Sequence, residues 1–233
     1  NSPEGPGAWA LIEGPDRKIY LGTWDGGYIL RFDPQAPDKG IEVVGKPSET
    51  ESYIWMYTIG HDGKLYGCTY PQAKLVSYDP TTDQMADLGR MDESEMYTRS
   101  IATGANGKIY TGIGYGKANV VVYNPATGGH RSILPEQYRV TGGASVMRGR
   151  DGRLYAQASG QWFRADDETF VPIEASDYPG GAPQALADGR ILQSFGNGEY
   201  TLHNPKTGDT TRHTFTYEGT GSRLFVVGIG PDD

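Results

Sequence analysis

The chain repeats one short pattern five times. A turn that contains Asp or Asn leads into a short apolar β run, at residues 16–20, 62–66, 106–110, 151–155 and 188–192. The last residues of successive copies are 46, 44, 45 and 37 positions apart. A period in the forties built from short strands is typical of a β-propeller, in which each repeat forms one four-stranded blade.

Most of the repeats also carry a second turn signal. Four of the five place Asp or Asn before Pro at the end of an alternating run, at Asp33-Pro34, Asp79-Pro80, Asn124-Pro125 and Asn204-Pro205. Asx bonds to the backbone and Pro presets φ, so the dipeptide starts a tight turn into the outermost strand. The sequence therefore predicts an all-β, single-domain propeller with blades at about 8–46, 52–90, 96–134, 142–174 and 180–215.

The segment 222–233 matches an inner strand and the start of its turn, beyond the fifth blade. Because propellers close to protect their edge strands, two interpretations stay open. The chain is either part of a larger ring or a five-bladed ring whose last strand closes it. If the terminal strand does not close the ring, it offers a route to self-association.

Composition narrows the partners. A net charge of −8 and a pI near 5.0 argue against nucleic acid and anionic membranes, which require a basic surface. No apolar stretch is long enough for a membrane span.

The single cysteine, Cys68, excludes an internal disulfide and is interpreted as a buried apolar residue. The glycine-rich run 112–117 joins two strands and is not a phosphate loop.

Ligands of propellers generally bind at the face where inner strands begin and where the second and third strands of each blade connect. The aromatic, acidic and basic residues predicted there to bind substrate are Trp24, Trp55, Tyr70, Glu95, Tyr115, Tyr138 and Arg139. Aromatic rings stack on sugars and polar side chains bond to hydroxyls, so this set suits a carbohydrate. By contrast, the tyrosines at equivalent second-strand positions are predicted to be core: Tyr20, Tyr66, Tyr110 and Tyr155.

One inner-strand position stands out in the alignment of blades. It holds Trp9, Trp55, Arg99 and Phe225, with Ala144 in the fourth repeat. Aromatic residues there are interpreted as packing between blades. Arg99 is the exception, because a guanidinium requires an anion or other acceptors. Its partner is either Glu95 or Glu51 in a structural pair, or the carboxylate of a ligand.

Residues 63–80, 96–100 and 107–114 together resemble bacterial secreted propellers of the broad SMP-30, virginiamycin-B-lyase and polysaccharide-lyase-like group. The resemblance covers nearly the whole chain and rests on blade motifs, without a matching catalytic signature. It implies elimination from uronate-containing glycans or macrocyclic esters, or a metal-dependent lactonase. It also favours an extracellular or periplasmic location.

Three hypotheses for function follow. In a lyase acting on acidic glycans, Arg99 neutralises the uronate carboxylate while Tyr97 or Tyr53 transfers the proton. In a binding propeller, the same face holds a glycan, another small molecule or a protein without chemistry. In a lactonase, carboxylates hold a divalent cation such as Ca²⁺. No histidine falls on this face, which argues against a histidine metal site or base, and no other metal or cofactor is predicted.

Overall fold

The computed structural model describes residues 7–149, 151–165, 168–179, 184–185, 190–194 and 199–214. The chain forms two compact units, residues 1–180 and 181–233. Regular structure in the described residues is β-strand, apart from short 3-10 turns at Pro37–Lys39, Glu136–Tyr138 and Ala175–Asp177. The all-β prediction is therefore confirmed.

The first unit contains sixteen strands in chain order. They are β1 (Gly7–Glu13), β2 (Ile19–Trp24), β3 (Ile29–Phe32), β4 (Ile41–Gly45), β5 (Tyr53–Ile59), β6 (Leu65–Tyr70), β7 (Lys74–Asp79), β8 (Gln84–Arg90), β9 (Thr98–Thr103), β10 (Ile109–Lys117), β11 (Asn119–Tyr123), β12 (His130–Ser132), β13 (Thr141–Arg148), β14 (Leu154–Ala158), β15 (Gln161–Arg164) and β16 (Val171–Ile173). Each group of four forms an antiparallel meander, so every sequence repeat becomes one blade.

The innermost strands β1, β5, β9 and β13 neighbour one another in chain order. Apolar side chains fill the space between adjacent sheets, which gives one core cluster for each pair of neighbouring blades. The four tyrosines predicted to be core are at most 4% exposed, which confirms that prediction: Tyr20, Tyr66, Tyr110 and Tyr155. Cys68 is fully buried in the cluster between the second and third sheets, also as predicted.

The repeated turn and its tyrosine form one structural unit. In the second blade, the hydroxyl of Tyr66 donates to Asp62 Oδ2 at 2.8 Å, and the ring covers Gly60 so closely that a Cβ there would lie 2.6 Å from it. The same arrangement recurs in the first and fourth blades, and in the third Asn106 donates its amide to Tyr110. The repeated sequence pattern is therefore a hydrogen-bonded corner that anchors the turn to the core.

The third and fourth sheets are hydrogen-bonded to each other, because the end of β10 extends past its pairing with β11 and pairs with β13. The glycine-rich run is thus part of a strand and not the connection that the sequence suggested. A Cβ on Gly112 would lie 2.4 Å from the carbonyl oxygen of Ala144, and one on Gly114 would lie 2.6 Å from that of Gly142. The glycines therefore permit two backbones to approach more closely than side chains allow.

The second unit contains a four-stranded antiparallel sheet of β17 (Gln184–Ala185), β18 (Ile191–Ser194), β19 (Glu199–His203) and β20 (Thr210–Thr214), in that order. It corresponds to the fifth repeat. The predicted strand at 222–233, with Phe225, lies outside the described residues.

Across the described ranges, no helix is long and apolar enough to cross a membrane.

Candidate functional site

Seven aromatic rings from the first three blades form one connected group, which we call the aromatic surface. Its members are Trp9, Trp24, Tyr53, Trp55, Tyr70, Tyr97 and Tyr115. Every member lies at the start of an inner strand or at the end of a second strand, where the sequence predicted the binding face. The predicted ligand-binding residues Trp24, Trp55, Tyr70 and Tyr115 are thus brought together with the predicted catalytic residues Tyr53 and Tyr97.

Edge-to-face and stacked contacts hold the rings in place. The centroids of Trp9 and Trp55 are 4.9 Å apart with nearly perpendicular planes, and Tyr70 stacks on Tyr97 at 4.4 Å. Contacts of this kind add about 0.5–1.5 kcal/mol per pair beyond the burial of area. The surface is consequently preorganised, with rings fixed by one another before any ligand arrives.

A β-bulge at the same position in three blades presents the central side chains. Where each inner strand pairs with the second strand of its blade, one residue has no partner. These unpaired residues are Trp9 in β1, Trp55 in β5 and Arg99 in β9. The fourth blade lacks this bulge, since Ala144 pairs regularly with Ala158 and is buried. Bulges commonly re-aim a side chain next to a functional site.

The prediction that aromatic residues at this position pack between blades is wrong for Trp9 and right for Trp55, which packs against the core cluster between the second and third sheets. Trp9 is 59% exposed, Trp55 is partly exposed and Arg99 is exposed. At the unpaired position of the bulge, Trp9 and Arg99 face solvent, while Trp55 keeps part of its side chain against the core cluster. Phe225 belongs to the same aligned set and lies outside the described residues.

Arg99 lies against the aromatic surface. Its Cζ is 5.3 Å from the ring centroid of Trp55 and 5.5 Å from that of Tyr97, the geometry of a cation–π contact. In the described part of the chain no carboxylate lies within ion-pair distance of its guanidinium. The side chain thus offers its hydrogen-bond donors at the surface.

Neither proposed structural partner pairs with Arg99, so that alternative is wrong. Glu51 is 2% exposed and accepts hydrogen bonds from Thr69 Oγ1 at 2.5 Å and from the backbone nitrogen of Gln72 at 3.1 Å. Glu95 is 6% exposed and accepts from the backbone nitrogens of Gly116 and Lys117. Both carboxylates are committed to the backbone of their own blades.

These two glutamates occupy equivalent positions, each two residues before a tyrosine of the aromatic surface. Glu51 secures the turn that follows Tyr70, and Glu95 secures the strand end that follows Tyr115. Glu95 was predicted to contact substrate. Glu95 is instead buried and accepts hydrogen bonds from the backbone. It fixes the part of β10 that carries the exposed ring of Tyr115.

Two other predicted binding residues lie apart from these rings. Tyr138 packs edge-on against Phe163 of β15 at 4.8 Å. Arg139 donates to Glu136 at 3.0 Å and lies 3.9 Å from Asp92. The structure shows no contact between either residue and the aromatic surface within the described ranges.

Burial affects the protonation state of Tyr97, which stacks on Tyr70. Burial, reinforced by the neighbouring Tyr70, raises the pKa of Tyr97 above its usual range, and the charge of Arg99 opposes the shift only in part. Tyr97 is therefore neutral near pH 7 and can donate a hydrogen bond, but it is poorly suited to accept a proton.

Histidines lie elsewhere in the chain. His130 lies in β12, His203 in β19 and His213 in β20, while His61 precedes the turn of the second blade. No group of three or more His, Cys, Asp or Glu side chains able to hold a metal occurs among the residues that the structure describes.

Trp9 is the member of the aromatic surface that the sequence assigned to the core. Its alignment with Arg99 was the available signal, because a position that tolerates a guanidinium in one blade is open to solvent or ligand in its relatives. Assigning it correctly also required the bulge, which the residue pattern does not show.

No known protein-family profile and no curated protein sequence matches this chain. Solved structures do share its fold. A catalytically inactive histidine-to-alanine variant of virginiamycin B lyase from Staphylococcus aureus, solved with quinupristin, has a TM-score of 0.62 at 12% identity, covering 93% of this chain and 73% of the lyase. A gluconolactonase-like protein has a TM-score of 0.56 at 12% identity, covering 90% of this chain and 78% of its own.

A third similar structure is the extracellular domain of a hybrid two-component system from Bacteroides thetaiotaomicron. Its TM-score is 0.57 at 14% identity, and the match covers 92% of this chain and 32% of that protein. The chain is therefore a β-propeller protein by fold. Its structural neighbours include the virginiamycin-B-lyase and gluconolactonase-like propellers that the blade motifs resemble.

Proposed function

We propose that the aromatic surface binds an acidic, uronate-containing glycan, with Arg99 bonding to a sugar carboxylate. The observation that carries the proposal is an exposed guanidinium that lies on two aromatic rings and has no carboxylate partner among the described residues. Pyranose rings present apolar faces that stack on indole and phenol rings, while a guanidinium holds a carboxylate bidentately. The surface supplies both kinds of contact side by side.

Recognition without chemistry fits this geometry better than elimination. A lyase needs a base to remove the proton next to the carboxylate, and the pKa of Tyr97 is raised, which disfavours the phenolate. Tyr53, which lies 5.1 Å from Tyr70 by ring centroids, is the remaining candidate for proton transfer. Elimination, with Arg99 neutralising the carboxylate, stands as the second proposal because lyases occur among the structural neighbours.

The lactonase alternative finds less support. It requires a divalent cation such as Ca²⁺ held by carboxylates, and Glu51 and Glu95 already accept hydrogen bonds from their own blades. A rise in the thermal unfolding midpoint with Ca²⁺, reversed by a chelator, would revive this alternative.

The test compares the binding of galacturonate oligomers with that of the same oligomers as neutral methyl esters, measured by isothermal titration calorimetry. The variants are Arg99→Gln and Trp9→Ala. The control is Arg17→Gln, which removes an exposed positive charge from the turn between β1 and β2. We expect Arg99→Gln to weaken binding of the acid form at least tenfold, since hydrogen bonds to charged groups contribute about 1.5–3 kcal/mol.

In the same experiment, Arg99→Gln should leave the methyl ester unaffected, whereas Trp9→Ala should weaken both ligands. Equal affinity of Arg99→Gln and wild-type protein for the acid form would contradict the carboxylate contact. Ultraviolet absorbance of the same mixtures, followed for the unsaturated product, separates the two proposals: a rise shows elimination, and a flat trace with binding shows recognition alone.

A further inference from the structure

One cavity in the described residues lies away from the aromatic surface. A cleft of about 380 Å³ opens at the other end of the blades, between the hairpin turns of the third and fourth sheets. Its described lining comes from the turn at 103–106, Tyr110, Arg148, the segment 151–154 and the end of β15.

Positive charge dominates the lining of this cleft. Arg148, Arg153 and Arg164 contribute guanidiniums, and Asp151 is the one carboxylate in the described lining. Both oxygens of Asp151 already serve the turn: Oδ1 accepts from the backbone nitrogen of Arg153 at 3.1 Å and Oδ2 from the hydroxyl of Tyr155 at 2.7 Å. These bonds lower the pKa of Asp151 against the opposing effect of burial, so the group stays ionised but occupied.

Two of the arginines retain donors for a ligand. Arg148 donates to the carbonyl oxygens of Gly152, at 3.1 Å, and of Thr103, which fixes its guanidinium between the two turns without neutralising its charge. Arg153 is about half exposed, and its Nε is 4.0 Å from Asp151 Oδ2, at the limit of an ion pair. Two guanidiniums from one hairpin, the first fixed by backbone carbonyls and the second about half exposed, suit an oxyanion.

We propose that this cleft binds a phosphate or sulfate group through Arg148 and Arg153, with Arg164 completing the lining. The protein carries a net charge of −8, so a cleft with three arginines departs from the general character of the chain. Its volume exceeds that of the bare anion and accommodates an attached sugar. The three arginines and the one carboxylate are those of the described lining. Asp166 and Asp167, which follow Ala165 in the sequence, are not among the described residues.

The test measures the thermal unfolding midpoint in inorganic phosphate, glucose 6-phosphate, glucose and sodium chloride at matched ionic strength. A ligand that binds only the folded protein raises the midpoint in a saturable way. We expect saturation with phosphate or glucose 6-phosphate, and no effect of glucose. A tighter response to glucose 6-phosphate identifies a phosphorylated sugar as the ligand, and an equal response identifies the free anion.

Variants decide whether the cleft is responsible. Arg153→Gln changes an exposed side chain and should weaken the response at least fivefold, as should Arg148→Gln if it folds. Arg17→Gln removes an exposed arginine elsewhere and should respond like wild type. An identical response in Arg153→Gln and Arg17→Gln, or the absence of a saturable rise, would overturn the proposal.

Discussion

The guanidinium of Arg99 lies 5.3 Å from the ring centroid of Trp55, its neighbour at the equivalent position of the preceding blade. The charge rests on an aromatic face at the surface, and no carboxylate is paired with it in the described residues. This places a cation and stacking rings in one preformed site. The arrangement allows the proposed contribution of Arg99 to binding to be measured separately from its contribution to stability.

Arg99→Gln should change the free energy of unfolding by less than about 1 kcal/mol, because an exposed cation–π contact contributes only about 0.5–1 kcal/mol. Urea denaturation followed by circular dichroism measures this change. A loss of 3 kcal/mol or more would mean that the guanidinium is part of the core, contrary to its exposure.

Glu95→Ala should destabilise the protein by about 1–3 kcal/mol, since it leaves the backbone nitrogens of Gly116 and Lys117 without their acceptor. Glu93→Ala is the matched control, because Glu93 lies two residues away with a highly exposed side chain and should change stability by less than about 0.5 kcal/mol. Similar effects of both substitutions in urea denaturation would show that the bonds of Glu95 contribute little.

Gly112→Ala should destabilise the protein by about 2 kcal/mol or more, because its Cβ would lie 2.4 Å from the carbonyl oxygen of Ala144 in the neighbouring blade. Gly129→Ala adds the same methyl group where the nearest atom is 3.4 Å away, and should be close to neutral. The difference between the two midpoints of thermal unfolding measures how tightly the third and fourth sheets pack.

Stability should fall as pH rises above about 9. Burial raises the pKa of the Cys68 thiol from 9.0 to about 12, so the unfolded chain loses this proton before the folded protein does. Burial, together with a hydrogen bond to Asp83, raises the pKa of Tyr78 from 10.0 to about 12 and acts in the same direction.

The contribution of Cys68 can be isolated by comparing wild-type protein with Cys68→Ala in urea denaturation between pH 8 and 12. The stability gap between the two proteins should shrink by up to about 1.4 kcal/mol per pH unit above 9, as expected for one proton. A gap that stays constant across this range would show that the thiol ionises equally in both states.

The repeat in the sequence predicted the strands, their order and the buried tyrosines, because these follow from local turn chemistry and from alternation along each strand. Asp62 and Tyr66, for example, define a corner within five residues of sequence. These turns and buried tyrosines depend on residues that are close in sequence, so each copy of the motif predicts its own turn and strand.

The site was predicted less completely, because it depends on register between strands. Trp9 was assigned to packing between blades from its aligned position, but it is the unpaired residue of a bulge and is 59% exposed. The length of β10 was missed for a similar reason, since Gly112 and Gly114 resemble a loop until a second backbone is found against them. Contacts between blades, and not residue patterns within them, decide both cases.

The bulge at Trp9, Trp55 and Arg99 divides the inner strands into residues that hold the blades together and residues that face outward. A substitution at Trp9 or Arg99 changes an exposed side chain, whereas one at Trp55 also alters the cluster between the second and third sheets. A chain built in this way can change the chemistry of its surface one blade at a time, most freely in the first and third blades.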